Sequence, residues 1–282
     1  MFLKIKKIPK VFWSSQKPLN LKPKFSSLFF LCLGLVIFGF GEGLLIVSSS
    51  GASPWSVLAQ GISINVNLSI GLITFLISFT VLILWIPLKQ KPGIGTILNA
   101  FIIAIMIDLC IKFVPTPEDY IHQIILGTVA VLTVGIGGGI YLVANLGAGP
   151  RDGLMVGLQK KTNLPIASVR AFLEISVVSI GWYLGGTIGP GTLIFAFGIG
   201  PAVALALYLV NKDTKTPGLG GTINGYLFLG SLASEINLDS AKEGTLWVDV
   251  DSSEAVEVNN GKTGGCNTMN WQNTKFGLSV EQ

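Results

Sequence analysis

The chain has 282 residues, of which 50% are hydrophobic and 12% charged, whereas a soluble domain carries about a quarter charged residues because its surface faces water. Its net charge is +4. Residues 1–210 contain 14 Lys and Arg and 6 Asp and Glu, whereas residues 211–282 contain 5 Lys and Arg and 9 Asp and Glu. This composition excludes an ordinary soluble protein, and because the basic excess lies at the ends of apolar segments, it indicates membrane topology and no nucleic-acid partner.

Residues 1–26 form a basic segment that we expect in the cytoplasm. Six apolar stretches follow, each close to the roughly 20 helical residues needed to cross a bilayer. They cover residues 27–47, 69–87, 95–113, 124–144, 167–186 and 191–210. Lys and Arg gather before the first stretch, in alternate loops and after the sixth stretch. Because cytoplasmic loops are enriched in these residues, the pattern predicts six spans with both termini in the cytoplasm.

The two halves of the apolar region repeat each other. A shift of 96 residues places loop residues of the first half on identical residues of the second. The matches include Gly51 with Gly147, Pro54 with Pro150, Asn67 with Asn163 and Gly93 with Gly189. We therefore predict two three-helix membrane repeats, residues 27–113 and 114–211. Because each repeat contains an odd number of spans, the second would be inserted in the opposite orientation, as in many secondary transporters.

Each repeat also contains a short segment that is not a span. Pro54 and Pro150 fit the first position of a helix, where a missing N–H is harmless, and Ser53 fits the preceding N-cap position. The pattern predicts a glycine break followed by a short helix in each repeat. These helices either re-enter the membrane or lie along its surface. If they re-enter, their N-termini would suit an anionic group.

Several segments carry a family resemblance that covers residues 27–211. They are residues 51–55, 85–99, 149–155, 169–174 and 185–192. These segments resemble the YczE-type membrane proteins, relatives of the YitT group. The resemblance implies a multi-span protein of the bacterial plasma membrane and leaves its activity open.

Ionisable residues inside the spans are candidates for function because they are costly in a membrane. Glu42 stands alone in a glycine-rich span, which suggests a proton-linked or solute-linked role. Arg151 and Asp152 begin the second short helix. Arg170 and Glu174 lie four residues apart, so they share a helix face and can pair. The alternative for these charges is that they lock the helix breaks and contact no solute.

These observations predict a small-solute permease, and the helix N-termini make an anionic solute one option. The candidate solute site consists of Glu42, Ser53, Pro54, Trp55, Pro150, Arg151, Asp152, Arg170 and Glu174. The alternative is a membrane scaffold that assists a partner enzyme and transports nothing. No Cys/His, Ser/His or metal-ligand pattern occurs, so we predict no enzyme activity, cofactor or metal. The expected partners are the lipid bilayer, the solute, and a second copy or another membrane protein.

Residues 212–282 differ from the rest of the chain because they are polar and acidic. We predict a poorly ordered cytoplasmic tail here. The strand-like segment 245–250 indicates a small folded domain as an alternative. A third reading is unrelated sequence joined by a change of reading frame.

Overall fold

The computed structural model of the chain describes residues 8–212, 246–248 and 255–257. Within residues 8–212, the helices are α1 (Phe25–Val47), α2 (Pro54–Val66), α3 (Ile70–Trp85), α4 (Ile94–Phe113), α5 (Tyr120–Ala144), α6 (Pro150–Thr162), α7 (Ile166–Tyr183) and α8 (Pro190–Lys212). The strands β1 (Leu246–Val248) and β2 (Ala255–Glu257) form an antiparallel pair in a separate unit of the chain. The rest of the predicted tail lies outside the described residues.

The helices confirm an all-helical membrane region. Among the described residues, five helices are long and apolar enough to cross a membrane: α1, α4, α5, α7 and α8. The predicted second span corresponds to α3, whose 16 residues would extend only about 24 Å at the helical rise of about 1.5 Å per residue. The helices α2 and α3 form a pair that is bent by 114°. If this pair is counted as one broken span, the number of spans is six.

Backbone features of the first half recur in the second half with the same spacing of 96 residues. The helices α2 and α6 both begin at a proline and both run for 13 residues. Each ends at an asparagine in the left-handed region, with φ of 54° at Asn67 and 56° at Asn163. The breaks before them contain Gly51 and Gly147, with φ of 119° and 122°. A side chain is strained at this φ, which explains the aligned glycines.

The centre of the bundle is the contact between α1 and α5, which run antiparallel. Gly34, early in α1, lies against Tyr141, late in α5, whereas Gly41, later in α1, lies against Val134. A Cβ at Gly34 would lie 2.6 Å from the Tyr141 nitrogen, so the two backbones nearly touch. Small residues permit such close packing of membrane helices. Around this pair, α4 packs on α1, α8 on α5, α7 on α2 and α6 on α3.

Each half of the chain also donates a hydrogen bond to the non-helical break in the other half. At the start of α4, the Gly95 N–H donates a 2.8 Å hydrogen bond to the Leu146 carbonyl, in the break before α6. At the start of α8, the Gly191 N–H donates a 2.8 Å hydrogen bond to the Ser50 carbonyl, in the break before α2. Each non-helical segment therefore has a carbonyl that accepts a backbone hydrogen bond from the other half.

We expect Gly137→Ala to destabilise the protein by about 1–3 kcal/mol, the range for overpacking a tight core. A Cβ at this position would overlap the Phe38 nitrogen and the Gly34 carbonyl oxygen of α1. The matched control is Gly138→Ala, where the nearest atom would be Val203 Cγ2 at 3.5 Å, an ordinary contact. Thermal unfolding in detergent measures both variants. Equal losses would mean that α1 and α5 are not this close.

Candidate solute site at the tips of the two short helices

The first turns of α2 and α6 meet inside the bundle. Trp55 follows the proline that begins α2 and is 6% exposed. Arg151 occupies the same position in α6, 96 residues later, and its guanidinium carbon lies 5.3 Å from the centre of a Trp55 ring. A guanidinium at this distance from an indole face makes a cation–π contact. The structure thus brings together two predicted site residues from the two halves of the chain.

The tip of α2 lies beside a buried carboxylate from α1. Glu42 is 1% exposed, and its Oε2 accepts hydrogen bonds of 2.7 Å from the hydroxyls of both Ser53 and Ser56. A carboxylate is stabilised at this position by the partial positive charge of the helix N-terminus. Its other oxygen, Oε1, is buried and has no hydrogen-bond partner among the described residues. Glu42 therefore keeps one open acceptor.

The tip of α6 is held by α3 and α5. The hydroxyl of Tyr141 accepts a 3.0 Å hydrogen bond from the Gly149 N–H and lies 3.2 Å from Asp152 Oδ2, to which it donates. The indole N–H of Trp85 donates a 2.9 Å hydrogen bond to the Pro150 carbonyl. The Asp152 carboxylate belongs to the first turn of α6.

Both short helices consequently have a carboxylate of the protein at their N-terminus, Glu42 for α2 and Asp152 for α6. The sequence left these N-termini open to an anionic solute. In the folded chain, part of their positive potential already acts on the protein's own carboxylates.

The charges predicted for the site lie close to one another. Arg170 and Glu174 form the expected ion pair, with Nε and Oε1 2.9 Å apart and side chains only 11% and 12% exposed. The carboxylates of Glu42, Asp152 and Glu174 all interact electrostatically with Arg151. We call these five residues, together with Trp55, the tip cluster.

Two buried groups of the tip cluster lack hydrogen-bond partners among the described residues. They are Glu42 Oε1 and the Trp55 indole N–H. Buried polar groups are nearly always hydrogen-bonded, so each exception needs an explanation. One acceptor and one donor beside the half-buried Arg151 guanidinium are suited to a polar ligand.

Sequence analysis missed three residues that hold this site: Ser56, Trp85 and Tyr141. Ser56 follows Ser53 by three residues at the start of α2, a spacing that could have identified it. Trp85 and Tyr141 sit in apolar stretches and carry no local signal. Asp108, an acidic residue near the end of α4, does not belong to the cluster. It accepts hydrogen bonds from the Ser69 hydroxyl at 2.6 Å and the Gly71 N–H at 2.7 Å, so it caps α3.

Comparisons with known proteins place this chain in a family. Residues 25–207 match the family of unknown function DUF6198. The chain is 41% identical over 214 residues to an uncharacterised protein of Haemophilus influenzae, covering 76% of this chain and 97% of the relative. It is 32% identical over 199 residues to the uncharacterised membrane protein YczE of Bacillus subtilis, covering 66% and 91%. No solved structure matches the chain. The chain belongs to the DUF6198 family, the YczE-type integral membrane proteins of bacteria.

Proposed function

We propose that the protein is a small-solute permease of the plasma membrane, built from two inverted three-helix repeats, with its solute bound at the tip cluster. The observation that carries this proposal is the meeting of the two short helices at Trp55 and Arg151, beside two buried polar groups, Glu42 Oε1 and the Trp55 indole N–H, that have no partner among the described residues. In inverted-repeat transporters, broken helices form the solute site where the repeats meet, near the middle of the membrane.

The inverted arrangement is supported by the directions of α1 and α5. These helices are counterparts in the repeat, and they are antiparallel and central. If both cross the membrane, they cross in opposite directions, so the chain between them crosses an even number of times. The helices α3 and α4 supply these crossings, with α2 and α3 as one broken span. Both termini then lie on the basic, cytoplasmic side.

Re-entry of the short helices is favoured over a surface position. Glu42, which contacts the tip of α2, lies five residues before the end of α1. At the helical rise this is about 7 Å inside the end of the span. Irregular backbone survives at such depth only when protein or a wet cavity satisfies it. The hydrogen bonds from Gly95 and Gly191 to the two breaks supply such partners.

The charges of the tip cluster favour a zwitterionic solute. The cluster contains three carboxylates and two guanidinium groups. A purely anionic solute would add to the excess of negative charge, and burying unbalanced charge is costly. A zwitterion adds no net charge. Its carboxylate would accept hydrogen bonds from Arg151 and Trp55, and its ammonium group would donate to Glu42 Oε1. An anionic group thus remains part of the expected solute.

Unequal exposure of equivalent positions supports alternating access. Ala52, in the break before α2, is fully buried, whereas its counterpart Ala148, before α6, is exposed. Ser56 is buried, whereas its counterpart Asp152 is half-buried. A transporter that rocks around a fixed site closes one side while the other is open.

Uptake into vesicles tests the proposal. Purified protein, reconstituted into liposomes, is offered radiolabelled panels of small zwitterions, amines and monocarboxylates. We expect uptake of at least one zwitterion above that of protein-free vesicles. A scaffold would leave all three panels at the protein-free level, and uptake of monocarboxylates alone would overturn the proposed solute class.

A further inference from the structure

Residues 8–24, which we call the N-terminal arm, contain no helix but are packed on the bundle. Trp13 is 6% exposed and stacks on Phe30, with ring centroids 4.5 Å apart. The Ser15 N–H donates a 3.0 Å hydrogen bond to the Ala144 carbonyl, and Asn145 Nδ2 donates one of 3.0 Å to the Ser15 carbonyl. The arm is therefore fixed to the ends of α1 and α5.

The arm and the start of α1 line an open cavity of about 400 Å³ whose wall is partly polar and basic and partly apolar. Its lining includes Lys10, Ser14, Asn20, Lys22, Lys24 and Ser27. The three lysines make no ion pair among the described residues. The Ser27 hydroxyl is buried, with the residue 1% exposed, and has no hydrogen-bond partner among the described residues. Three unpaired ammonium groups and a buried free hydroxyl define a site for an anion.

Large apolar side chains border this cavity. Phe12, which also lines it, is 76% exposed, and Leu21 and Phe25 in the adjoining chain are 78% and 83% exposed. Apolar side chains next to lysines are typical of the boundary between headgroups and acyl chains. An inorganic ion would make no use of them.

We propose that this cavity binds the phosphate headgroup of an anionic phospholipid. The phosphate oxygens accept hydrogen bonds from the lysine ammonium groups and from the Ser27 hydroxyl, while the acyl chains lie along Phe12 and Phe25. Basic pockets at the ends of membrane helices bind anionic headgroups in this way. The proposal does not depend on transport, because the cavity is formed by the arm and α1 and not by the tip cluster.

Titration with short-chain lipids tests the site in the full-length protein in a neutral detergent. The charge-removal variant is Lys10→Gln with Lys22→Gln. The matched control is Lys89→Gln with Lys91→Gln, which removes two exposed lysines outside the cavity. Dioctanoyl phosphatidylglycerol is the anionic probe, dioctanoyl phosphatidylcholine the zwitterionic one and inorganic phosphate the headgroup ion alone.

We expect phosphatidylglycerol to bind the wild type and the control with equal affinity. The charge-removal variant should bind about 30-fold more weakly. Each lysine contributes about 1 kcal/mol of binding free energy near an anionic surface, which is about fivefold in affinity, and two lysines are removed. Ser27→Ala, which keeps every charge, should weaken binding severalfold, and Lys10→Arg with Lys22→Arg should retain it. Equal affinity of the two double glutamine variants would overturn the proposal. So would equal binding of phosphatidylcholine, or binding of inorganic phosphate as tight as that of the lipid.

Discussion

Replacing Arg170 with Gln is expected to lower the free energy of unfolding by about 3–5 kcal/mol, the cost of breaking a buried ion pair from one side. The pair with Glu174 is only 11–12% exposed, so water hardly screens it. The replacement would leave the Glu174 carboxylate in a poorly hydrated place. Glu174→Gln is expected to be destabilising as well, because it removes the carboxylate that lies 2.9 Å from the Arg170 guanidinium.

The control for this prediction exchanges the two residues, Arg170→Glu with Glu174→Arg. Both side chains stay on the same face of α7, four residues apart, so the exchange should recover much of the loss. Denaturant unfolding and folded yield by size-exclusion chromatography measure each variant. If the exchange is as unstable as the single variants, the pair is held by other groups and does not act as a unit.

Arg151→Gln is expected to give folded protein and to abolish uptake. Its half-buried guanidinium makes no hydrogen bond or ion pair with any described residue. Its loss removes a charge that interacts with three carboxylates, but should cost less stability than the loss of the ion-paired Arg170. A solute carboxylate, by contrast, would lose its main cationic partner. Arg151→Lys should retain part of the uptake, because the ammonium group keeps the charge but lacks the planar fork that binds a carboxylate at two points.

Vesicle uptake and complementation of a deletion strain measure this effect, with folded yield measured in parallel. The exchanged Arg170 and Glu174 variant is the comparison that alters buried charge without altering Arg151. Full activity of Arg151→Gln would remove the tip cluster from the mechanism and favour the scaffold.

Much of the helical pattern was predictable, because apolar length and loop composition act locally. The six apolar stretches correspond to α1, α3, α4, α5, α7 and α8. Pro54 and Pro150 begin helices as predicted, since a proline is suited to that position whatever surrounds it. The shortness of α3 was not predicted, because the apolar stretch continues beyond the helix into residues 86–87.

The contacts of the site were less predictable, because they join residues distant in sequence. Pairing of Arg170 with Glu174 follows from helix geometry alone. The bonds from Ser53 and Ser56 to Glu42 span 11 and 14 residues and require the chain to turn back after α1. For residues 1–26 the sequence predicted only a basic segment in the cytoplasm, and only the fold places Trp13 against Phe30.

The most direct test of the permease mechanism is the labelling of Ala52→Cys and Ala148→Cys, each in a background without the three native cysteines. A membrane-impermeant maleimide is applied separately from the two sides of the membrane. The inverted, alternating arrangement predicts that Ala148→Cys reacts rapidly from the cytoplasmic side only, as its exposure indicates, while Ala52→Cys reacts slowly and from the outside only. Reaction of both from the same side would contradict the inverted repeats, and a complete lack of reaction at Ala52→Cys would contradict alternating access.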